Sequence, residues 1–452
     1  MNIAIIGSGP TGISVCRELV KTKHNLFLLD SDTNTKFTNK NSITYQNLSP
    51  KYKNSKFIQS NNQFFKYNKL KKNSNIFITS ALIKGGLSNF WGGGIEIPKK
   101  AYIQRHGIDY DYFLKVSKQV QKELNLFSPS KNIKIINKIF KNNFFFKFDF
   151  MKLAIKRNKG LNNSNLKSYL ENKFIYNSAD QIIELSKFKN FNYYNDCFIE
   201  KIYKVKNKLQ FNTKSSKIPK TLKFDKVIIC AGTVGSPLII ARSLLLKKIK
   251  FKIFHTPMIR LTYLNFLLPF RKFFNILKNN IFTFSSNQKL FAAKGTLVFG
   301  SEIPNNYFNV SNYNFFFRYF KKFILVGVSF INYNDSFFEL NYTNKNISTK
   351  SNNKSYKISI KYFKRKLNVN LLKKFFIPIP FLNFKFFAKG SDSHYTSSLT
   401  DTNLINKKYE LKELKNVFVA DSSVIQPGLF YPTYFSIVLS KIIVKKILNE
   451  EI

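Results

Sequence analysis

Apolar residues open the chain in an unbroken run, NIAIIG, recur at helical spacing through TGISVCRELVKT, and form a second run in NLFLLD. A short continuous apolar run bounded by turn residues reads as a strand buried on both faces. The three segments therefore predict a complete β-α-β unit and the start of a parallel sheet. Next, NIFITSALIKGGLSNFWGGG is apolar before it breaks into glycines, and YDYFLKVSKQVQKELNL has the spacing of an amphipathic helix. From about residue 128 to residue 192 only short apolar runs stand among Lys and Asn. CFIEKIYKV, LQFNT and LKFDKVIICAG then predict three successive strands, the last a buried run ending in a glycine turn.

Between about residues 251 and 389 the texture changes to alternating segments, GTLVFGSEI, FILVGVSFI, FFELNYT and YKISIKYF, the period-two pattern of antiparallel strands with one wet face. NVFVADSSVI returns to a buried strand, and TYFSIVLSKIIVKKI to a helix of near-continuous apolar character. These patterns predict a parallel α/β layer, interrupted by an antiparallel one and completed by the C-terminal segment. There is no internal repeat and no linker rich in Gly, Ser or Pro.

At 452 residues and 44% hydrophobic, the chain has ample material for a large core. Its net charge of +50, from 74 Lys+Arg against 24 Asp+Glu, raises nucleic acid or an anionic membrane as partners. The lysines, however, are scattered through nearly every segment and travel with Asn, Ile and Phe, the drift of an AT-rich coding sequence. This points to a solvated surface with no nucleic acid expected. Cys16, Cys197 and Cys230 are far apart and form no C-x-x-C pair, so neither a disulfide framework nor a thiolate metal site is suggested, and a reducing compartment fits. A strand beginning at Ile3 leaves no room for a signal peptide ahead of it, and the most apolar run, FFIPIPFLNFKFFA, is too short for a bilayer span and carries Pro378 and Pro380. A cytoplasmic protein is the expectation.

Gly7, Gly9 and Gly12 form G-x-G-x-x-G, with Ser8, Pro10 and Thr11 between them, and Asp30 ends the next strand. In a strand-turn-helix context this is the dinucleotide fingerprint. The first glycine allows the tight turn, the second lets a pyrophosphate reach the backbone, and the third lets helix and strand pack; Asp30 would accept hydrogen bonds from a ribose diol. The motif alone leaves FAD and NAD both open.

Four further blocks stand in order: KGGLSNFWGGG, VIICAGTVGSPLIIARSLL, GSDSHYTSSLTD and NVFVADSSVIQPGLFYPTYFSIVLSKI. Together with the fingerprint they resemble the glucose-methanol-choline oxidoreductases, flavoenzymes that oxidise alcohols and sugars, over roughly half of the chain. The resemblance implies FAD as cofactor. It implies that Gly86, Ser88, Asn89 and Trp91 lie where the backbone passes the pyrophosphate and flavin edge, and that Ile199 lies where a backbone pair reads the adenine. Ala231 and Gly232 would follow the strand beside the dinucleotide, and Asp421 and Ser422 would form an acidic turn near the phosphates and ribityl chain. Thr433 would begin a last helix whose dipole stabilises charge on a reduced flavin. His394 matches the catalytic histidine, a residue type suited to taking a hydroxyl proton because its pKa lies near working pH. His24, His106 and His255 have no such setting and read as structural.

Two departures stand out. Tyr431 occupies the place where the family puts Asn or His before Pro-Thr, and Ser397, Ser398 and Leu399 replace the residues that usually follow the histidine. Tyrosine still donates one hydrogen bond, but it is bulkier and titrates far higher.

The expected fold is α/β, with a Rossmann-like FAD-binding domain from residues 1–104, 193–250 and 390–452, and a discontinuous substrate domain on an antiparallel sheet from residues 105–192 and 251–389. The expected function is hydride transfer from the CH-OH group of an alcohol or sugar, or of a glycoconjugate precursor, to FAD. His394 serves as base, and electrons pass to an acceptor the sequence does not name. The alternatives are non-oxidative or desaturating flavin chemistry on a sugar or lipid, and a degenerate flavoprotein whose basic surface holds RNA or lipid. Residues 251–277, where Arg260, Arg271 and Lys272 interrupt an apolar strip, fit either core elements of the substrate domain or a peripheral membrane contact.

Overall fold

The computed structural model describes residues 1–32, 55–70, 76–127, 146–155, 175–213, 222–265, 282–288, 291–299, 323–332, 336–343, 346–351, 357–373, 376–380 and 383–449. The apolar runs at the two ends of the chain meet in one five-stranded sheet. Its order is Val417–Val419, Lys226–Ile229, Asn2–Ile6, Asn25–Leu29, Phe191–Tyr194, and every pairing is parallel. Ile3, Ile5, Leu28, Val227, Ile228 and Val419 are wholly buried, as strands covered on both faces require. The expected β-α-β unit is strand Asn2–Ile6, helix Pro10–Leu19 and strand Asn25–Leu29.

The last helix, Pro432–Asn449, lies along the first. Ser14 Oγ donates to the Ile437 carbonyl at 3.1 Å, and one turn further on Lys441 Nζ reaches Glu18 Oε2 at 2.9 Å. Because both pairs advance together from their helix starts, the helices run parallel, with their N-termini side by side. Helix Tyr110–Glu123, capped by the Asp109 carboxylate on the Tyr112 N–H, packs on the same helix through Ser117 and Tyr434 (2.5 Å) and through Glu123 and Lys441 (2.9 Å). Residues 105–192, expected with the substrate domain, thus contribute to the parallel layer. They supply this helix, the helix Ser178–Leu185 that packs on Pro10–Leu19, and the edge strand Phe191–Tyr194.

The antiparallel layer is as expected. One sheet takes the order Phe376–Pro378, Met258–Asn265, Ile324–Asn332, Phe291–Phe299, Phe282–Gln288, Lys147–Phe150, with Lys385–Phe386 also paired to Met258–Asn265. A second joins Lys248–Phe254, Phe337–Thr343 and Asn346–Ser351. The period-two alternation divides the large sheet into two faces. Ile259, Leu261, Tyr263, Leu297, Leu325 and Ile331 pack with Phe363, Leu367 and Leu371, while Met258, Val298, Val328 and Phe330 face Phe430 and Tyr431.

One expected strand is a helix. All of YKISIKYF but its first residue, which lies outside the described residues, belongs to the helix Lys357–Leu372, because Ile360, Phe363, Leu367 and Leu371 recur at intervals of three and four and put one stripe onto the sheet. The eight-residue window happened to alternate as well, and only its continuation through Leu371 separates the two periods. Of the apolar strip at 251–277, Phe251–Phe254 and Met258–Asn265 are core strands, whereas Arg271 and Lys272 lie outside the described residues. Among the described residues no helix is long and apolar enough to cross a membrane.

Candidate active site

The glycine turn separates its three glycines by role. Gly7 has φ +104°, and a Cβ there would lie 2.5 Å from the Cys230 carbonyl oxygen; a Cβ at Gly12 would lie 1.9 Å from the Gly7 oxygen. Both are glycines because the chain's own backbone leaves no room. At Gly9, the N-cap of helix Pro10–Leu19, a Cβ would meet nothing within 4 Å. Pro10 takes the first helical position, where no backbone N–H is needed. Thr11 and Gly12 are buried behind it.

Asp30 ends the neighbouring strand, is buried, and accepts a hydrogen bond from Ser8 Oγ. Burial pushes its carboxyl up to about 7; the Ser8 bond opposes that rise and the Asp32 charge adds to it. The Cys197 N–H donates to the Asp30 carbonyl at 2.7 Å, which brings the turn leading to Ile199 against this strand end. Ile199 is itself buried, at a register shift in the hairpin Ile199–Val205 and Lys208–Thr213.

The segment Gly86–Asn89 crosses over the same turn, and a Cβ on Gly86 would stand 3.5 Å from the Gly9 Cα. Its side chains serve the loop itself. Ser88 Oγ donates to the Gly85 carbonyl (2.6 Å) and accepts from the Ser178 N–H (3.1 Å). The Asn89 amide donates to Lys84 and Gly86 carbonyls (both 2.8 Å), and Trp91 Nε1 donates to the Tyr176 carbonyl (2.7 Å). The Gly85 N–H donates to Ser8 Oγ at 2.7 Å and ties the two loops together. Backbone, and not side chain, is what this segment presents.

At the third crossing, Ala231 caps helix Gly232–Ser243, and Gly232 has φ +77°. The Asp421 carboxylate is buried and takes four donors: the Gly232 N–H (2.8 Å), Ser236 Oγ (2.5 Å), the Ser423 N–H (2.9 Å) and Ser423 Oγ (2.5 Å). Burial raises its pKa against these bonds. Asp421 therefore fastens the 422–424 turn to the start of helix Gly232–Ser243, and Ser422 Oγ pairs with Thr233 Oγ1 at 2.6 Å. At the turn where an acidic contact to a cofactor chain was expected, these bonds make Asp421 an internal clasp.

His394 and Tyr431, 37 residues apart in the sequence, come together with ring centroids 5.3 Å apart and planes at 66°. Phe330 lies 4.5 Å from the His394 ring and 5.3 Å from the Tyr431 ring, so the three rings form a compact triangle of tilted and edge-on contacts. Tyr431 stands directly before Pro432 and Thr433, at the start of the last helix. Its backbone N–H and that of Phe430 donate to Glu96 Oε2 at 3.0 Å each, and Lys294 pairs with Glu96 at 3.3 Å while lying over the Tyr431 ring at 5.5 Å. Among the described residues the buried Tyr431 hydroxyl has no hydrogen-bond partner. Burial, with Glu96 adding to it, pushes its pKa well above the ordinary tyrosine value.

The sequence reading missed the residues that hold this arrangement. Asn177, the N-cap of helix Ser178–Leu185, accepts from the Ala179 N–H and donates to Asn89 Oδ1 at 2.8 Å; Asn before an amphipathic run is a cap signal that was there to be read. His255, Thr256 and Asp392 gather behind His394, with His255 Nδ1 3.2 Å from Asp392 Oδ1. Asp392 stands two residues before His394, but nothing local announces His255.

No family model matches the chain, and no curated protein matches it in sequence. Among solved structures it is similar to pyridoxine 4-oxidase from Mesorbium loti, with 11% identity over 99% of each chain and a TM-score of 0.62. With a parallel sheet carrying the glycine turn and an antiparallel sheet facing His394 and Tyr431, the chain has the fold of that oxidase from end to end, the α/β architecture that the sequence resemblance implied.

Proposed function

We propose that the chain is an FAD-dependent oxidoreductase of the glucose-methanol-choline type that oxidises a CH-OH group. The observation that carries this reading is the meeting of His394 and Tyr431 in a chain whose glycine turn leaves its second glycine open. Gly7 and Gly12 are required by backbone packing, but packing does not explain Gly9, where a side chain would have space. A pyrophosphate approaching the backbone does explain it, at a place where two parallel helices bring their N-termini together. The choice of FAD over NAD is supported by the sequence resemblance and by the likeness in fold to an oxidase. Residues 7–12, Asp30, the backbone of 85–89, Ile199, Ala231–Gly232, Ser422 and Thr433 would hold it.

Bound FAD would supply the hydride acceptor. His394 would take the hydroxyl proton, and the Tyr431 hydroxyl would donate a hydrogen bond to the oxygen on which charge develops. Phe330, Val328 and Met258 would keep water from the reacting carbon. A wall of this kind fits an alcohol with an apolar or aromatic body next to its carbinol better than a sugar, whose hydroxyls each need a partner.

Anaerobic titration of the FAD-loaded protein with a panel of aliphatic alcohols, aromatic alcohols and sugars tests both points. Bleaching of the flavin absorbance by aromatic or apolar alcohols is the expected result. Bleaching by sugars alone would overturn the substrate class, and bleaching by none of them would overturn the function.

A further inference from the structure

His394 is backed by a chain of polar groups whose proton positions are constrained. Thr256 Oγ1 lies 3.5 Å from His394 Nδ1 and 3.4 Å from Asp392 Oδ2. The same Asp392 oxygen accepts from the Thr256 N–H (2.9 Å) and the His394 N–H (3.3 Å), while its other oxygen faces His255 Nδ1 at 3.2 Å. Asp392 is 2% exposed. Its burial works to raise the carboxyl pKa, but the hydrogen bonds from His255 and the Thr256 N–H, with the electrostatic pull of the two neighbouring imidazoles, together keep it below the usual value. Asp392 is therefore a carboxylate, an acceptor only.

We propose that Thr256 and Asp392 are positioning residues that set the tautomer of His394. A threonine hydroxyl has one proton. With a buried carboxylate on one side, that proton points to Asp392, and the oxygen turns its lone pairs toward His394 Nδ1. The only neutral imidazole tautomer that satisfies this geometry carries its proton on Nδ1 and leaves Nε2 as the basic nitrogen. Long contacts of about 3.5 Å are the kind that tighten when a substrate seats. His255 completes the row by holding the second Asp392 oxygen, which explains why a histidine far from the motif is buried here. The inference rests on the reading of His394 as the base, since a base needs its lone pair on the substrate side. Its direct readout, however, is the tautomer itself.

The chain has four histidines, so selective labelling with ring nitrogen-15 histidine gives a spectrum that single His→Gln variants can assign. In the FAD-loaded protein, long-range nitrogen–proton correlation should show His394 with its proton on Nδ1. Thr256→Val, which keeps the backbone bond to Asp392 and the side-chain volume, should move His394 toward the Nε2–H form. It should slow flavin reduction roughly 10- to 100-fold at saturating substrate, with little change in KM, because a misplaced imidazole proton removes the base without removing the binding site. Thr256→Ser should restore both signals. Asp392→Asn, which turns an acceptor into a donor, should shift the tautomer as Thr256→Val does. A native His394 protonated on Nε2, or a tautomer unchanged in Thr256→Val, overturns the proposal. A tautomer that shifts as expected in a protein whose flavin no alcohol reduces leaves the positioning intact and overturns the proposed function instead.

Discussion

At the scale of single residues, two substitutions separate holding the fold from holding a ligand. A Cβ at Gly9 would meet no protein atom within 4 Å and its φ is an ordinary −63°, so Gly9→Glu is expected to fold with a melting temperature close to that of the native apoprotein. It should nevertheless fail to take up FAD, because its carboxylate would occupy the approach to the backbone amides. Thermal melts with and without added FAD check both halves. Tyr431→Phe removes a buried hydroxyl with no partner among the described residues, so stability should stay level or rise slightly. If the hydroxyl donates to the reacting oxygen, the rate of flavin reduction falls by roughly 10- to 1000-fold, the worth of one such donor. Stopped-flow reduction set beside a melt decides between a structural tyrosine and one that serves the reaction.

Among the elements, helices Pro10–Leu19, Tyr110–Glu123 and Pro432–Asn449 are joined by charge. Lys441 is wholly buried, with Nζ 2.9 Å from both Glu18 and Glu123, while Lys445 adds a contact to Glu18 and Arg17 one to Glu123. Lys441 draws Glu18 to a lower pKa in spite of the burial that raises it. Removing Lys441 leaves Glu18 and Glu123 with only the longer contacts to Lys445 and Arg17, so Lys441→Ala is expected to lower the unfolding free energy by about 2 kcal/mol, less than the loss of one partner from a fully buried pair. Chemical denaturation measures it. Because this network keeps the two helix starts level, the same variant should also weaken FAD uptake. A loss of stability with unchanged FAD affinity would show that the helix register is held by packing alone.

For the molecule as a whole, Asp30 predicts how stability follows pH. Its carboxyl is raised by burial from 3.8 to about 7, so the folded state binds a proton that the unfolded chain has released. Its contribution is full below about pH 4 and is lost as pH rises through about 7, so stability from this group falls across that window. Asp392, Glu18 and Asp225, with lowered values, act in the opposite sense at lower pH. The comparison is therefore between native protein and Asp30→Asn. In the absence of FAD, the variant's melting temperature should fall less between about pH 4 and about pH 8 than the native one. FAD should reduce the difference, since ribose hydroxyls would stabilise the ionised carboxylate.

Much of this architecture was legible in the amino-acid pattern. Continuous apolar runs marked the parallel strands, alternation marked the antiparallel ones, and three glycines between strand and helix marked the turn, because these signals are local and follow from the period of the backbone. His394 and Tyr431 were picked out by their motifs. Only the tertiary structure placed their rings in contact, joined Asp421 to the start of a helix nearly 190 residues earlier (2.8 Å to the Gly232 N–H), and set His255 and Thr256 behind a histidine about 138 residues away. It also turned KISIKYF from a strand into a helix, since so short a window satisfies both periods and packing against the sheet selects one. The sequence by itself determined the strands and helices whose period is unambiguous and which residue types stand at the turns. Which partner each buried polar group finds was decided by the fold, because hydrogen bonds between distant segments leave no periodic trace in the chain that makes them.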